Sequence, residues 1–223
     1  MGETKKLDGT VNSQQIVVRR NTPYLFAKRV LDYIGSGIGI ILFSPILLII
    51  AIVIKLEDGG PIIFKQERIG HNGRHFNIYK FRSMRIDAEE LKAKLLDQNE
   101  VEGAMFKMKD DPRVTRFGKF IRKHSLDELP QFFNVFLGDM SLVGPRPPLV
   151  DEVAKYTAYE KQRLLVRPGL SGLWQISGRN NLSFADMVEL DLEYIQTRSI
   201  WLDIKIIFKT ACDMVAIRKN GAF

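Results

Sequence analysis

Asp127 and Glu128 stand side by side in the run Ser125-Leu126-Asp127-Glu128-Leu129-Pro130-Gln131, directly after a basic stretch. Read as a helix start, Ser125 is the N-cap and Glu128 closes a capping box. Pro130 then falls just inside the helix, where proline is poorly tolerated. With Asp127 as the N-cap, Pro130 lies in the first turn and the conflict disappears. Either version leaves both carboxylates in a first turn, where unpaired backbone N–H groups and the helix dipole favour the ionised form and attract phosphate. An ionised aspartate beside cations is what an aspartyl-phosphate nucleophile requires, and adjacent carboxylates can hold Mg²⁺ together with a substrate phosphate. Capping alone is the commoner use of such a pair.

A second candidate is Arg146, within Gly144-Pro145-Arg146-Pro147-Pro148. Prolines on both sides fix the local backbone and lower the entropy lost when the guanidinium is presented, which suits bidentate phosphate binding. A rigid loop with a solvated arginine explains the same residues. Further on, Arg167-Pro168-Gly169 leads through Gly172, Trp174 and Gly178 to Arg179-Asn180. The glycines allow close backbone approach and Trp174 can stack on a ring; a plain turn with a core tryptophan is the alternative. His71, His75 and His124 share no metal-ligand spacing and read as surface residues.

The element that must position these groups is the run from Tyr33 to Ile54, which carries no formal charge. About 20 residues at about 1.5 Å rise cover the hydrocarbon layer, so this is a membrane helix candidate. Ser44-Pro45 predicts a break: the proline removes a donor and its ring clashes with the Ile41 carbonyl, while the serine hydroxyl can satisfy the carbonyl so freed. Cations flank both ends, Arg19, Arg20, Lys28 and Arg29 before and Lys55 and Lys65 after, so charge asymmetry sets no orientation. Both a kinked span and a re-entrant turn at Ser44-Pro45 satisfy these residues. Asp32, at the boundary, is expected to pair with Arg29.

Residues 1–22 are polar and read as a mobile leader, followed by a membrane segment over 23–58. After the breaker Asp58-Gly59-Gly60-Pro61, the runs Ile63–Ile69 and His75–Phe81 surround Asn72-Gly73, a strong hairpin signal. Ile86 to Gln98 reads as an exposed helix. A turn at Asp110-Asp111-Pro112 precedes a basic helix whose apolar stripe is Val114, Phe117, Phe120 and Ile121, suited to a membrane surface or to the domain's own core. The segment Asp203 to Arg218 is amphipathic, with Ile204, Ile207, Phe208, Ala211 and Val215 on one side, covering either core or lipid.

The chain has 223 residues, 45% of them hydrophobic, which leaves one globular domain over 59–223 and no room for a second. A single cysteine, Cys212, excludes an internal disulfide and fits a reducing compartment. The apolar run is too long for a signal-peptide core and lacks a cleavage site. Net charge is +7, from 33 Lys and Arg against 26 Asp and Glu, which suits an anionic partner. Nucleic acid is not expected: no zinc-finger, helix-turn-helix or RNP pattern occurs.

Six motifs in order carry a resemblance: Lys28-Arg-Val-Leu-Asp32, the Ser44-Pro45 break, Lys80-Phe-Arg-Ser-Met84, Ser125 to Gln131, Gly138 to Pro148, and Arg167 to Asn180. The chain resembles bacterial sugar transferases of the monotopic phosphoglycosyl transferase family, in particular the short forms without extra transmembrane and nucleotide-fold portions. The match runs from about Tyr24 to Lys219. The resemblance implies a re-entrant helix with both ends on the cytoplasmic face of the bacterial plasma membrane. It implies transfer of a hexose 1-phosphate, glucose or galactose favoured, from a UDP-sugar to undecaprenyl phosphate with release of UMP, an early membrane step of capsule or exopolysaccharide synthesis. Carried onto this chain, Asp127 is the nucleophile that forms a phosphosugar intermediate, and Glu128 helps hold Mg²⁺ or positions reactants. Lys80, Arg122 and Arg146 match cationic positions near the phosphates. Pro148, a second proline after Arg146-Pro147, is the one feature that alters the loop.

The expected fold is therefore α+β, mainly helical with a small hairpin-based sheet, beside an N-terminal re-entrant helix broken at Ser44-Pro45. Expected partners are a UDP-sugar, undecaprenyl phosphate and membrane lipids, with self-association into a homo-oligomer left open. Two other readings compete: a membrane-bound UDP-sugar hydrolase, and a non-catalytic basic membrane adaptor in which Asp127-Glu128 only caps a helix.

Overall fold

The computed structural model describes residues 15–18, 21–95, 108, 111–178 and 182–215. Most of the leader, the stretch from 96 to Lys107, Asp110, Arg179, Asn180 and Arg218 lie outside the described residues. Within the stretch read as a leader, Ile16 donates its N–H to Gln162 Oε1 at 2.7 Å, and Ile16 and Val18 pack against the core.

Helix α1, Thr22–Asp58, begins at the Asn21 cap with proline in its first turn and ends at Gly59, whose φ of 72° is the left-handed conformation glycine tolerates. Residues on both sides of Ser44-Pro45 are helical, with Pro45 inside α1 and no separate loop there. Ser44 Oγ donates to the Ile41 carbonyl at 2.8 Å, the group that proline cannot serve. Only 17% of the most apolar 18-residue window is buried, so this is not the core helix of a soluble domain.

Both ends of α1 grip one domain. In its first half, Lys28 Nζ lies 3.1 Å from Asp203 Oδ2, and Asp32 Oδ1 accepts from Ser141 Oγ and from the Leu142 N–H, each at 2.9 Å. The expected Asp32–Arg29 pair is thereby corrected: the buried carboxylate takes backbone and hydroxyl donors, while Arg29 stacks on Tyr33 at 4.0 Å. In its last turns, Ile50 and Ile54 pack with Phe81 and Ile121, and Asp58 pairs with Arg82.

The hairpin forms as read. Strands β1 (Ile63–Ile69) and β2 (His75–Phe81) are antiparallel, with Ile63 opposite Phe81 and Ile69 opposite His75. The connection needs positive φ at two successive residues, and Asn72 (56°) and Gly73 (80°) supply it. Helix α2 (Ala88–Leu95) and helix α3 (Arg116–Lys123) follow, α3 capped by Thr115, whose hydroxyl accepts from the Gly118 N–H at 2.8 Å. On α3 Ile121 is fully buried and Phe120 is exposed, so the stripe splits between core and surface.

Helix α4 (Gln131–Leu137) ends at Gly138, φ 95°. It docks on the hairpin through buried Asn134, which accepts the Tyr79 N–H at 2.9 Å and donates to the Asn77 carbonyl at 2.7 Å, satisfying β2's outer edge as a strand would. A second small sheet, unanticipated, pairs β3 (Ser141–Val143) in parallel with β4 (Gly169–Ser171). Helices α5 (Val150–Ala154), α6 (Leu173–Ser177), α7 (Phe184–Thr197) and α8 (Ile200–Val215) complete the described chain. The main core gathers Val135, Met140, Val143, Leu192, Tyr194, Ile195 and Ile206. The architecture is α+β and mainly helical.

On α8 the core side is Asp203 and Ile206. The stripe read from the sequence splits: Ile207 packs against the core, while Ile204 and Phe208 are exposed, joined by Trp201. Of the two uses open for it, Ile207 serves the core, and Ile204 and Phe208 do not.

Candidate active site

Neither capping arrangement read from the sequence occurs. Leu126–Glu128 forms its own 3-10 turn, preceded by Ser125 at φ 54°, and Pro130 takes the N-cap position of α4. The left-handed residue at 125 turns the chain between α3 and α4, and Pro130 is spared an interior helix position. Asp127 and Glu128 thus sit one turn ahead of α4.

Asp127 is 8% exposed. Its burial, and then the negative charge of Glu128, push its carboxyl up from 3.8 to about 6, against the pull of Lys80 and Arg122. This corrects the expectation that a helix dipole would hold it firmly ionised. At pH 7 such a group is still mainly ionised. Glu128 Oε1 receives Lys80 Nζ at 2.7 Å. Lys80 comes from the end of β2, Arg122 from the last turn of α3, and the carboxylates from the turn between α3 and α4. Two expected cations are thereby brought to the carboxylate pair, next to the Phe81–Ile121 contact with α1.

Arg146 is held differently. Its Nη1 lies 3.0 Å from Glu152 Oε2, an oxygen that also accepts the Leu149 N–H at 2.9 Å. The guanidinium is therefore engaged by a carboxylate while still partly exposed, and Asp127 is not among its hydrogen-bond partners. Arg68, which sequence reasoning passed over, links the two regions. Its Nη1 donates to the Pro147 carbonyl at 3.0 Å, and the neighbouring Ile69 N–H donates to the Pro148 carbonyl at 3.0 Å. Burial, then the nearby charge of Arg146, lower Arg68 to about 10, with Glu152 and Glu128 opposing. Its strand face carries Phe64 and Gln66, with no apolar alternation to mark Arg68 in the sequence. Behind the loop, Asp191 and Arg163 form a fully buried pair, with Arg163 Nη1 on the Tyr156 hydroxyl at 2.9 Å.

The glycines at 144, 169 and 172 approach one another. A side chain at Gly169 would strike Gly144, and one at Gly172 would meet the Gly144 carbonyl oxygen, so their smallness serves loop-to-loop contact. Trp174 lies on α6 with its indole Nε1 buried and without a hydrogen-bond partner among the described residues. His75 pairs with Glu67 at 2.9 Å and His124 with the Phe120 carbonyl at 2.8 Å, as expected of surface histidines. Among the described residues no group of three or more His, Cys, Asp or Glu gathers around a metal position.

Comparison with known proteins gives the site its context. The sequence profile of the family described as "Bacterial sugar transferase" matches residues 23–217. The chain is similar to the galactosyl transferase CpsE of Streptococcus agalactiae serotype III, 56% identical over 188 residues, covering 84% of this chain and 42% of that protein. It is also similar to the undecaprenyl-phosphate galactose phosphotransferase of Salmonella typhimurium, 44% identical over 202 residues, covering 89% of this chain and 42% of that protein. The exopolysaccharide production protein ExoY of Rhizobium meliloti is 44% identical over 188 residues, covering 82% of this chain and 83% of that protein. The chain thus spans under half the length of the first two relatives and most of the third.

Proposed function

This chain belongs to the bacterial sugar transferase family, and from that premise we propose that it transfers a hexose 1-phosphate from a UDP-sugar to undecaprenyl phosphate, releasing UMP. Two of the relatives above are named for galactose, which favours galactose with glucose as the neighbouring choice. The observation that carries the reading is Asp127, a buried carboxylate beside Glu128 and between Lys80 and Arg122, at the place where α1 rejoins the domain.

In the first step an Asp127 oxygen attacks the sugar-linked phosphorus. The bond from that phosphorus to the bridging oxygen breaks, and UMP leaves with the oxygen. The phosphosugar is then joined to the aspartate. In the second step an oxygen of the lipid phosphate attacks the same phosphorus, the acyl phosphate bond breaks, and Asp127 returns as a carboxylate. Burial strips water from the nucleophile, while Lys80 and Arg122 offset charge around the phosphates. Glu128, anchored by Lys80, holds the turn in place.

Asp127 and Glu128 fit a Mg²⁺ that is shared with substrate. Two adjacent carboxylates without a surrounding protein cage match an ion that usually binds through one or two carboxylates plus substrate phosphates. Bound there, the ion would neutralise charge on the diphosphate.

Support for a re-entrant α1 comes from its two ends, which touch the same domain through Lys28–Asp203 and Asp58–Arg82. A helix that left both ends with one domain would place that domain on a single membrane face, the cytoplasmic one where nucleotide sugars are available.

The test is UMP release by the purified full chain, with UDP-galactose or UDP-glucose and undecaprenyl phosphate. Asp127→Asn is expected to lose at least a thousandfold in rate, on the order of other lost nucleophiles, while remaining folded and membrane-bound. Normal turnover by that variant would overturn the covalent route. Label from the sugar phosphate is expected in lipid; label in free sugar phosphate would indicate hydrolysis instead.

A further inference from the structure

At the tip of the hairpin a shallow cavity of about 90 Å³ opens toward the end of α4. Its lining includes His71, Arg74, Phe76, Gly138, Asp139 and Arg167. Arg74 and Arg167 are exposed, and among the described residues neither guanidinium forms an ion pair. Asp139 is the lining's one carboxylate, so the cavity carries an excess of positive charge.

The same rim is reached from α1. Arg29 lies against Gly138, where a side chain would strike its guanidinium, and its Nη1 approaches the Val135 carbonyl at 3.5 Å. Arg29 precedes the uncharged run that opens at Tyr33, and Tyr33 meets Phe136 edge-on with ring centroids 6.0 Å apart. Phe133, Phe136 and Leu137 of α4 are exposed. An apolar surface continuous with α1 therefore ends at a cationic cavity, the sequence of surfaces found at the headgroup level of a bilayer.

Arg74 stands just before β2 and six positions ahead of Lys80, and at about 3.3 Å per residue that is about 20 Å from the lysine that pairs with Glu128. A single diphosphate does not span both places.

We propose that this cavity binds the phosphate group of an anionic membrane lipid through Arg74 and Arg167, with Arg29 at its rim. A lipid is favoured over free phosphate because the exposed Phe136 and Leu137 beside the rim can meet acyl chains, which a free ion lacks. The contact would fix the domain's tilt at the N-terminal half of α1, opposite the end where Asp127 lies. The inference rests on the membrane placement of α1 and not on the transfer reaction.

The test uses the full chain in detergent, titrated with phosphatidylglycerol or phosphatidylcholine and read by native mass spectrometry. One phosphatidylglycerol should be retained in preference to phosphatidylcholine. The Arg74→Ala/Arg167→Ala double variant should bind it about tenfold or more weakly, from the loss of two cations near the headgroup. Arg74→Lys/Arg167→Lys should keep most of the affinity, and Lys155→Ala, an exposed charge elsewhere, all of it. Equal retention by the alanine double variant, or no preference for the anionic lipid, overturns the proposal. Displacement by excess inorganic phosphate overturns the lipid assignment. UMP release on the same samples reports on the carboxylate pair, so either reading can fail without the other.

Discussion

Asp127 joins two demands that pull against each other. The fold buries it beside a second carboxylate, which raises its carboxyl to about 6, yet attack on phosphorus needs the ionised form. The pH dependence of kcat/KM should therefore show an acid limb, falling about tenfold per pH unit below about 6 as the nucleophile is protonated. Stability should run the other way. Because the folded state favours the neutral acid, this group contributes stability that is present below its unfolded value near 3.8 and is lost as pH rises through about 6. Asparagine mimics the neutral form at every pH. Asp127→Asn should then be more stable than the parent by about 1 to 3 kcal/mol at pH 8 and indistinguishable at pH 4, measured by unfolding in detergent. A variant destabilised at pH 8 would show that Lys80 and Arg122 outweigh burial.

The elements around the pair act as brackets, and α3 is the most exacting of them. Gly118 lies so close to the Ser83 carbonyl that an added methyl would overlap it, and the Thr115 N–H already donates to the same oxygen at 3.1 Å. Gly118→Ala should cost about 1 to 3 kcal/mol, read as a lower thermal midpoint in detergent. Since α3 carries Arg122, KM for the UDP-sugar should rise as well; an unchanged midpoint would mean that α3 can slide freely. Asn134 does comparable work for α4, closing the hairpin's edge with a side chain.

The layout of the chain around the bilayer is the largest feature at issue. Exposed apolar side chains on α1, α4 and α8, among them Ile41, Leu137 and Phe208, accompany contacts from both ends of α1 to one domain. In a Cys212→Ser background, Asn21→Cys and Glu57→Cys should both react with an impermeant maleimide from the same side of oriented vesicles. Labelling from opposite sides would establish a single span.

Much of this was legible along the chain. The hairpin limits followed from strand-forming runs around Asn72-Gly73, and α1's apolar stretch from hydropathy. The Ser44 hydroxyl's bond to the Ile41 carbonyl followed from proline chemistry. Each depends on sterics and hydrogen bonding within a few residues, which sequence order encodes directly. The burial of Asp127, the Arg146–Glu152 pair, the role of Arg68 and the partner of Asp32 did not follow. Neither did the parallel pairing of β3 with β4. Those are settled by groups distant in sequence, as Asp32 is by Leu142, because dielectric environment and charge pairing depend on which surfaces meet once the chain is packed.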